Sequence, residues 1–60
     1  MEFESWLTEC QLIISKKLNF DEDDAARMID GAGISIYLAK FERGLTPQQC
    51  VEDELIAWNE

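Results

Sequence analysis

The stretch from Arg43 to Gln49 contains residue types that end one helix and start another. Gly44 readily adopts the left-handed conformation that ends a helix, and Thr46 is a favourable N-cap for a new one. Pro47 suits the first turn of that new helix, and Gln49 stands three residues after Thr46, which is the spacing of a capping box. The sequence therefore predicts two helices joined by a short connection at this point.

Apolar residues recur at steps of three and four in three segments, which is the period of an amphipathic α-helix. The segments cover residues 3–18, 22–43 and 47–58. Asp21 precedes the second segment and can cap it through the free N–H groups of its first turn. We therefore predict an all-α fold that forms one domain over residues 1–60.

The second segment is least favourable for a continuous helix at Asp30-Gly31-Ala32-Gly33. Each glycine inside a helix costs about 1 kcal/mol relative to alanine, and Asp-Gly is a turn signal. The prediction is a bundle of three helices, or of four if the middle one breaks at Gly31, and it leaves open whether residues 31–33 are helix or hinge. A strand that starts at residues 34–37 is the weaker alternative, since a lone strand leaves its backbone unpaired.

The second segment is apolar on two sides. On one side, alanines at every seventh position form a seam that lets another helix approach closely, with Ile29 and Ile36 beside it. The second apolar set comprises Ile34, Tyr37, Leu38 and Phe41. Because a chain this short has few helices to cover both sides, we predict a homodimer that buries the second set or, alternatively, the alanine seam.

The net charge of −8 and the absence of histidine exclude several classes of function. An acidic surface repels nucleic acid and anionic membranes, so we expect neither as a direct partner. Without histidine there is no Ser–His or Cys–His pair, so we expect no enzyme. The acidic run at residues 21–24 lacks the alternating ligands and turn glycine of a calcium loop, so we expect no metal. The sequence also has no glycine-rich phosphate loop, so we expect no cofactor.

Cys10 and Cys50 each occupy an apolar position in their segments and have no nearby cysteine or histidine. We expect reduced thiols in the core; a disulfide between them would require the first and last segments to pack together. The first residues are acidic, unlike a secretory signal, and no apolar run approaches the ~20 residues of a membrane span. These features predict a cytoplasmic protein.

The function that the sequence favours is binding to and inhibition of a larger protein, without catalysis, and the partner can carry a basic surface. Aromatic residues are enriched at interface hot spots, and carboxylates can pair with a basic partner. The residues predicted to contact the partner are Tyr37, Phe41, Trp58, Asp23, Asp24, Glu52 and Asp53. Core packing of Trp6 and Trp58, and a merely solvating role for the carboxylates, are the plainer alternatives.

The stretch from Phe41 to Val51 is similar to a helix–Gly–Ser/Thr–Pro–helix turn of small phage proteins. The chain as a whole resembles the short acidic helical proteins that phages and other mobile elements encode against host defence, including the anti-CRISPR class. That resemblance implies an inhibitor or adaptor that acts stoichiometrically, often as a dimer, in the host cytoplasm. Two alternatives stay open, namely a DNA mimic that occupies a basic groove and a self-associating structural or assembly module.

Overall fold

The computed structural model describes residues 2–58, with the side chains of residues 2–57. This part of the chain folds into four α-helices and contains no strand. The helices are α1 (Phe3–Leu18), α2 (Glu22–Ala32), α3 (Ile34–Glu42) and α4 (Pro47–Trp58). The all-α prediction is confirmed, and the strand alternative at residues 34–37 is wrong because these residues form the first turn of α3.

α1 is an amphipathic helix whose predicted apolar stripe faces the interior. Trp6, Cys10 and Ile14 are buried along it at successive steps of four. Lys16 and Lys17 lie in the last turn, where the negative end of the helix dipole favours cations. The helix ends at Asn19, which adopts a left-handed conformation with φ 57° and donates its backbone N–H to the Ser15 carbonyl.

The middle segment consists of two helices, and the break falls at Gly33 rather than at Gly31. Gly33 has φ 109° and ψ 116°, a conformation that side chains disfavour, whereas Gly31 stays inside α2. At the start of α2, the Asp21 carboxylate accepts a hydrogen bond of 3.1 Å from the backbone N–H of Asp24. The predicted cap is thus confirmed, and the single 22–43 helix is replaced by α2 and α3.

The connection between α3 and α4 forms as the sequence predicts. Gly44 has a positive φ of 85°. The Thr46 hydroxyl accepts from the backbone N–H of Gln49 at 3.2 Å, and the Gln49 side-chain carbonyl accepts from the backbone N–H of Thr46 at 3.0 Å. This reciprocal pair is a capping box and explains the position at which α4 begins.

α1 is the helix against which the others pack. It contacts α2, α3 and α4, whereas α2 and α4 make no contact with each other within the described residues. The core draws on every helix: its buried members are Trp6, Cys10, Ile14, Ala25, Ile29, Tyr37, Cys50 and Val51. A single core therefore forms around the inner face of α1.

Candidate interaction surface

The outward side of α3 is almost free of charge. Ile34, Ile36 and Leu38 are 44%, 46% and 39% exposed, and Ser35 and Ala39 are exposed between them. We call these five residues the α3 outer surface. Because successive helix residues are turned by about 100°, Ile34 and Leu38 lie side by side at one end of an arc of about 200°, and Ile36 lies at its other end, beyond Ser35 and Ala39. Glu42 is the one charged residue of α3 that is exposed, and it lies at the end of the helix.

The break at Gly33 determines which side of α3 is outward. Ala25 and Ile29 are buried on α2, and Ala32 is half-buried, so the alanine seam packs within the chain as far as the break. Beyond Gly33 the helix direction is reset, and Ile36 and Ala39 are exposed. The predicted seam therefore does not continue from α2 into α3, and Ile36 belongs to the outer surface instead.

Tyr37 was predicted as a partner and dimer contact, and the structure corrects its position. The side chain is completely buried, inward of Ile34 and Leu38 on the same helix, so a partner cannot touch it in this fold. Its hydroxyl oxygen has no hydrogen-bond partner among the described residues. Burial raises the pKa of the Tyr37 phenol above its ordinary value, and the Glu54 carboxylate adds to this effect.

Phe41 also faces inward, although it keeps part of its surface exposed. Its ring lies 5.4 Å from the ring of Phe3 and 5.4 Å from that of Trp6, the latter in an edge-to-face arrangement. The Trp6 indole donates a hydrogen bond of 2.9 Å to the Leu45 carbonyl. Phe41 therefore packs α3 against α1, while the Trp6 hydrogen bond holds the following turn, and little of Phe41 is left for a partner.

Of the four residues predicted as the dimer interface, Ile34 and Leu38 remain available on the surface. They stand four residues apart and so lie on one side of the helix. Tyr37 and Phe41 belong to the same apolar stripe, but this chain covers their part of it with α1 and the core. Trp58 is the last described residue of α4, and its side chain lies outside the described part of the structure.

The predicted carboxylate contacts are all exposed, but they fall on two separate helices. Asp23 and Asp24 lie in the first turn of α2, and Glu52 and Asp53 lie on α4. Since these helices do not contact each other within the described chain, the two pairs do not form one cluster. The pair on α2 also stabilises the helix dipole, which is a structural reason for its presence.

A half-buried ion pair joins α3 to α4. The Lys40 ammonium lies 3.1 Å from the Glu54 carboxylate and 4.0 Å from that of Asp53. The side chains of Lys40 and Glu54 are only 16% and 13% exposed, so their mutual neutralisation matters more than in an exposed pair. Asp53, at 60% exposure, is the member of this group that faces solvent.

Both cysteines are free thiols with no exposed surface, as predicted for core residues. The Cys10 thiol lies 3.9 Å from the Pro47 carbonyl, so it contacts the first turn of α4. Burial raises the pKa of the Cys10 thiol to about 12, with a further contribution from Cys50. Burial also raises the pKa of Cys50. Thiols held in the protonated form are poor nucleophiles.

Comparison with protein-family models, with curated proteins and with solved structures finds no match to this chain. None of the helices in residues 2–58 combines the length and the apolar character needed to cross a bilayer. Within the same residues, no group of three acidic or cysteine side chains is arranged to hold a metal ion. The interaction surfaces are therefore the features on which a function can be argued.

Proposed function

We propose that this chain is a non-enzymatic interaction module that binds a larger protein through the α3 outer surface and inhibits it by occupying its surface. The observation that carries the proposal is the exposure of two adjacent large aliphatic side chains, Ile34 and Leu38, on one side of a helix of nine residues, with Ile36 exposed at the far edge of the same uncharged arc. Single exposed apolar residues are ordinary, but a contiguous group of them marks an interaction site.

The partner we infer has an apolar patch bordered by lysine or arginine side chains. The chain carries −8, and exposed carboxylates lie on the helices on both sides of α3 in the sequence. Such a field accelerates the approach of a basic partner, while the desolvated aliphatic contacts supply most of the lasting affinity. Asp23, Asp24, Glu52 and Asp53 would therefore act on association rate more than on dissociation rate.

Inhibition is the consequence that fits a module of this size. A single core built from four short helices supports a binding surface, and the sequence resembles phage-type inhibitors of the anti-CRISPR class. We propose that the protein acts in the cytoplasm, of the host cell if a phage encodes it. Its two buried thiols stay reduced there.

The test is affinity capture from host lysate with a tagged chain as bait. The proteins captured by the native sequence are compared with those captured by a double variant, Ile34→Ser/Leu38→Ser. Because both residues are substantially exposed, the variant should retain its helical circular dichroism. The matched control is Ile56→Ser, which removes an aliphatic side chain that is 62% exposed on α4. We expect a discrete larger protein that is lost with the double variant and retained with the control.

A salt gradient separates this proposal from its alternatives. Apolar binding should survive an increase in salt, whereas a DNA mimic would be released steeply and would lose binding on Asp23→Lys/Asp24→Lys or Glu52→Lys/Asp53→Lys. Recovery of the bait alone would replace the proposal with a self-associating structural module. Retention of the larger protein by Ile34→Ser/Leu38→Ser would exclude the α3 outer surface as the contact.

A further inference from the structure

An open groove of about 470 Å³ runs between the outer side of α1 and the start of α4. One wall is formed by Thr46, Pro47 and Gln48. The other wall is formed by four residues of α1, namely Glu9, Leu12, Ile13 and Lys16. Leu12 is 38% exposed here, on the side of α1 opposite its buried stripe. The groove is thus distinct from the α3 outer surface.

The four residues of α1 keep the same spacing when the helix is read in the opposite direction. They stand at i, i+3, i+4 and i+7, with two aliphatic residues in the middle and opposite charges at the ends. When two such helices run antiparallel, Glu9 of each lies opposite Lys16 of the other, and Leu12 of each lies opposite Ile13 of the other. A two-fold contact requires this kind of self-complementarity, in which each residue and its counterpart exchange roles.

We propose that this groove is the contact between two copies of the chain, with their α1 helices antiparallel across a two-fold axis. The aliphatic pair forms the centre of the contact, and the two Glu9–Lys16 pairs form its ends. Glu9 and Lys16 are exposed and pair with no other described residue, so both are free to make these contacts. Thr46 and Pro47 of each copy then flank the α1 helix of the other.

Charge favours a second copy over a foreign partner at this surface. Two chains of −8 repel each other, and that repulsion is weakest at a contact where carboxylates are balanced by cations. The groove provides that balance, since its lining holds one carboxylate and one ammonium group. A strongly basic partner would gain no net attraction from such a lining and would be drawn to the acidic surfaces instead.

This dimer is independent of the proposed function, because it leaves the α3 outer surface uncovered. It also differs from the homodimer predicted from the sequence, which placed Ile34 and Leu38 at the interface. The contact is small, so we expect a dissociation constant in the micromolar range or weaker.

Sedimentation equilibrium over a range of concentrations tests the proposal through a charge swap. By symmetry, Glu9→Lys or Lys16→Glu places like charges together at both ends of the contact, so each should weaken the dimer roughly tenfold or more. The double variant Glu9→Lys/Lys16→Glu recreates opposite charges and should return the dissociation constant to within about threefold of the native value. All substituted sites are exposed, and circular dichroism would verify that each variant folds.

The matched controls change the same charges outside the groove. Lys17→Glu alters the neighbouring residue in the last turn of α1, and Glu42→Lys alters an exposed carboxylate of α3. Both variants should keep the dissociation constant of the dimer within about threefold of the native value. A native chain that remains monomeric at millimolar concentration, single variants that dimerise normally, or a double variant that fails to recover would each overturn the proposal. So would loss of the dimer in Ile34→Ser/Leu38→Ser.

Discussion

Removing the Tyr37 hydroxyl should stabilise the protein. The side chain has no exposed surface, and its oxygen has no hydrogen-bond partner among the described residues. In the unfolded chain this hydroxyl is hydrated, so burial without a partner costs roughly 1–3 kcal/mol. Tyr37→Phe keeps the ring and its packing and removes that cost. We therefore expect the free energy of unfolding to rise by about 1 kcal/mol, which for a chain of this size raises Tm by roughly 4–8 °C.

Urea unfolding followed by circular dichroism measures this change as an increase in the midpoint at constant m-value. Tyr37→Ala is the contrasting variant: it deletes a fully buried ring and should destabilise the fold by roughly 3–5 kcal/mol. The reasoning is refuted if Tyr37→Phe lowers stability by 1 kcal/mol or more, since the hydroxyl would then have a partner. Tyr37→Phe should also leave partner capture unchanged, which separates a core role from a contact role.

The remaining predictions concern the two middle glycines and alkaline pH. Gly33→Ala should lower the free energy of unfolding by at least about 1 kcal/mol in urea melts, because the backbone φ of 109° at this position is unfavourable for a side chain. Gly31→Ala should raise the free energy of unfolding by about 1 kcal/mol, because Gly31 lies inside a helix with open space around it. Equal effects of the two substitutions would contradict the break at Gly33. Stability should fall as pH rises from 9.0, the ordinary pKa of the thiol, towards about 12, the pKa of Cys10 in the fold. Over that interval the thiol of the unfolded chain releases its proton and the thiol of the folded chain does not, so rising pH favours unfolding. Urea melts at several pH values should show that the free energy of unfolding declines less with pH in Cys10→Ala than in the native chain.

The helix boundaries were predictable from the sequence because they rest on local chemistry. Asp21 and the Thr46–Gln49 pair cap helices through groups within three residues of each other. The position of the break at Gly33 was harder to predict from the sequence. Asp30-Gly31 carries the stronger turn signal, but the chain breaks at the later glycine. The conformation of Gly33 is selected by how α2 and α3 pack on α1, which involves residues far away in the chain.

The sequence could not show whether an apolar helix face is covered by the same chain or by another protein. Ile34, Tyr37, Leu38 and Phe41 do form one stripe at helical spacing, as predicted. Periodicity gives the direction of a stripe but does not distinguish burial by the same chain from burial by another. In the structure, the chain's own core takes Tyr37 and most of Phe41, so only the edge of the stripe reaches solvent.

The central position of α1 determines the order in which the molecule comes apart. Since α2 and α4 share no contact within the described residues, either can detach while the other stays packed on α1. Each detachment is a local opening that exposes only part of the core. The backbone of α1, in contrast, loses its packing completely only when the whole structure opens. Hydrogen exchange should therefore be slowest in α1, around Cys10 and Ile14, and faster in the helices that pack on it.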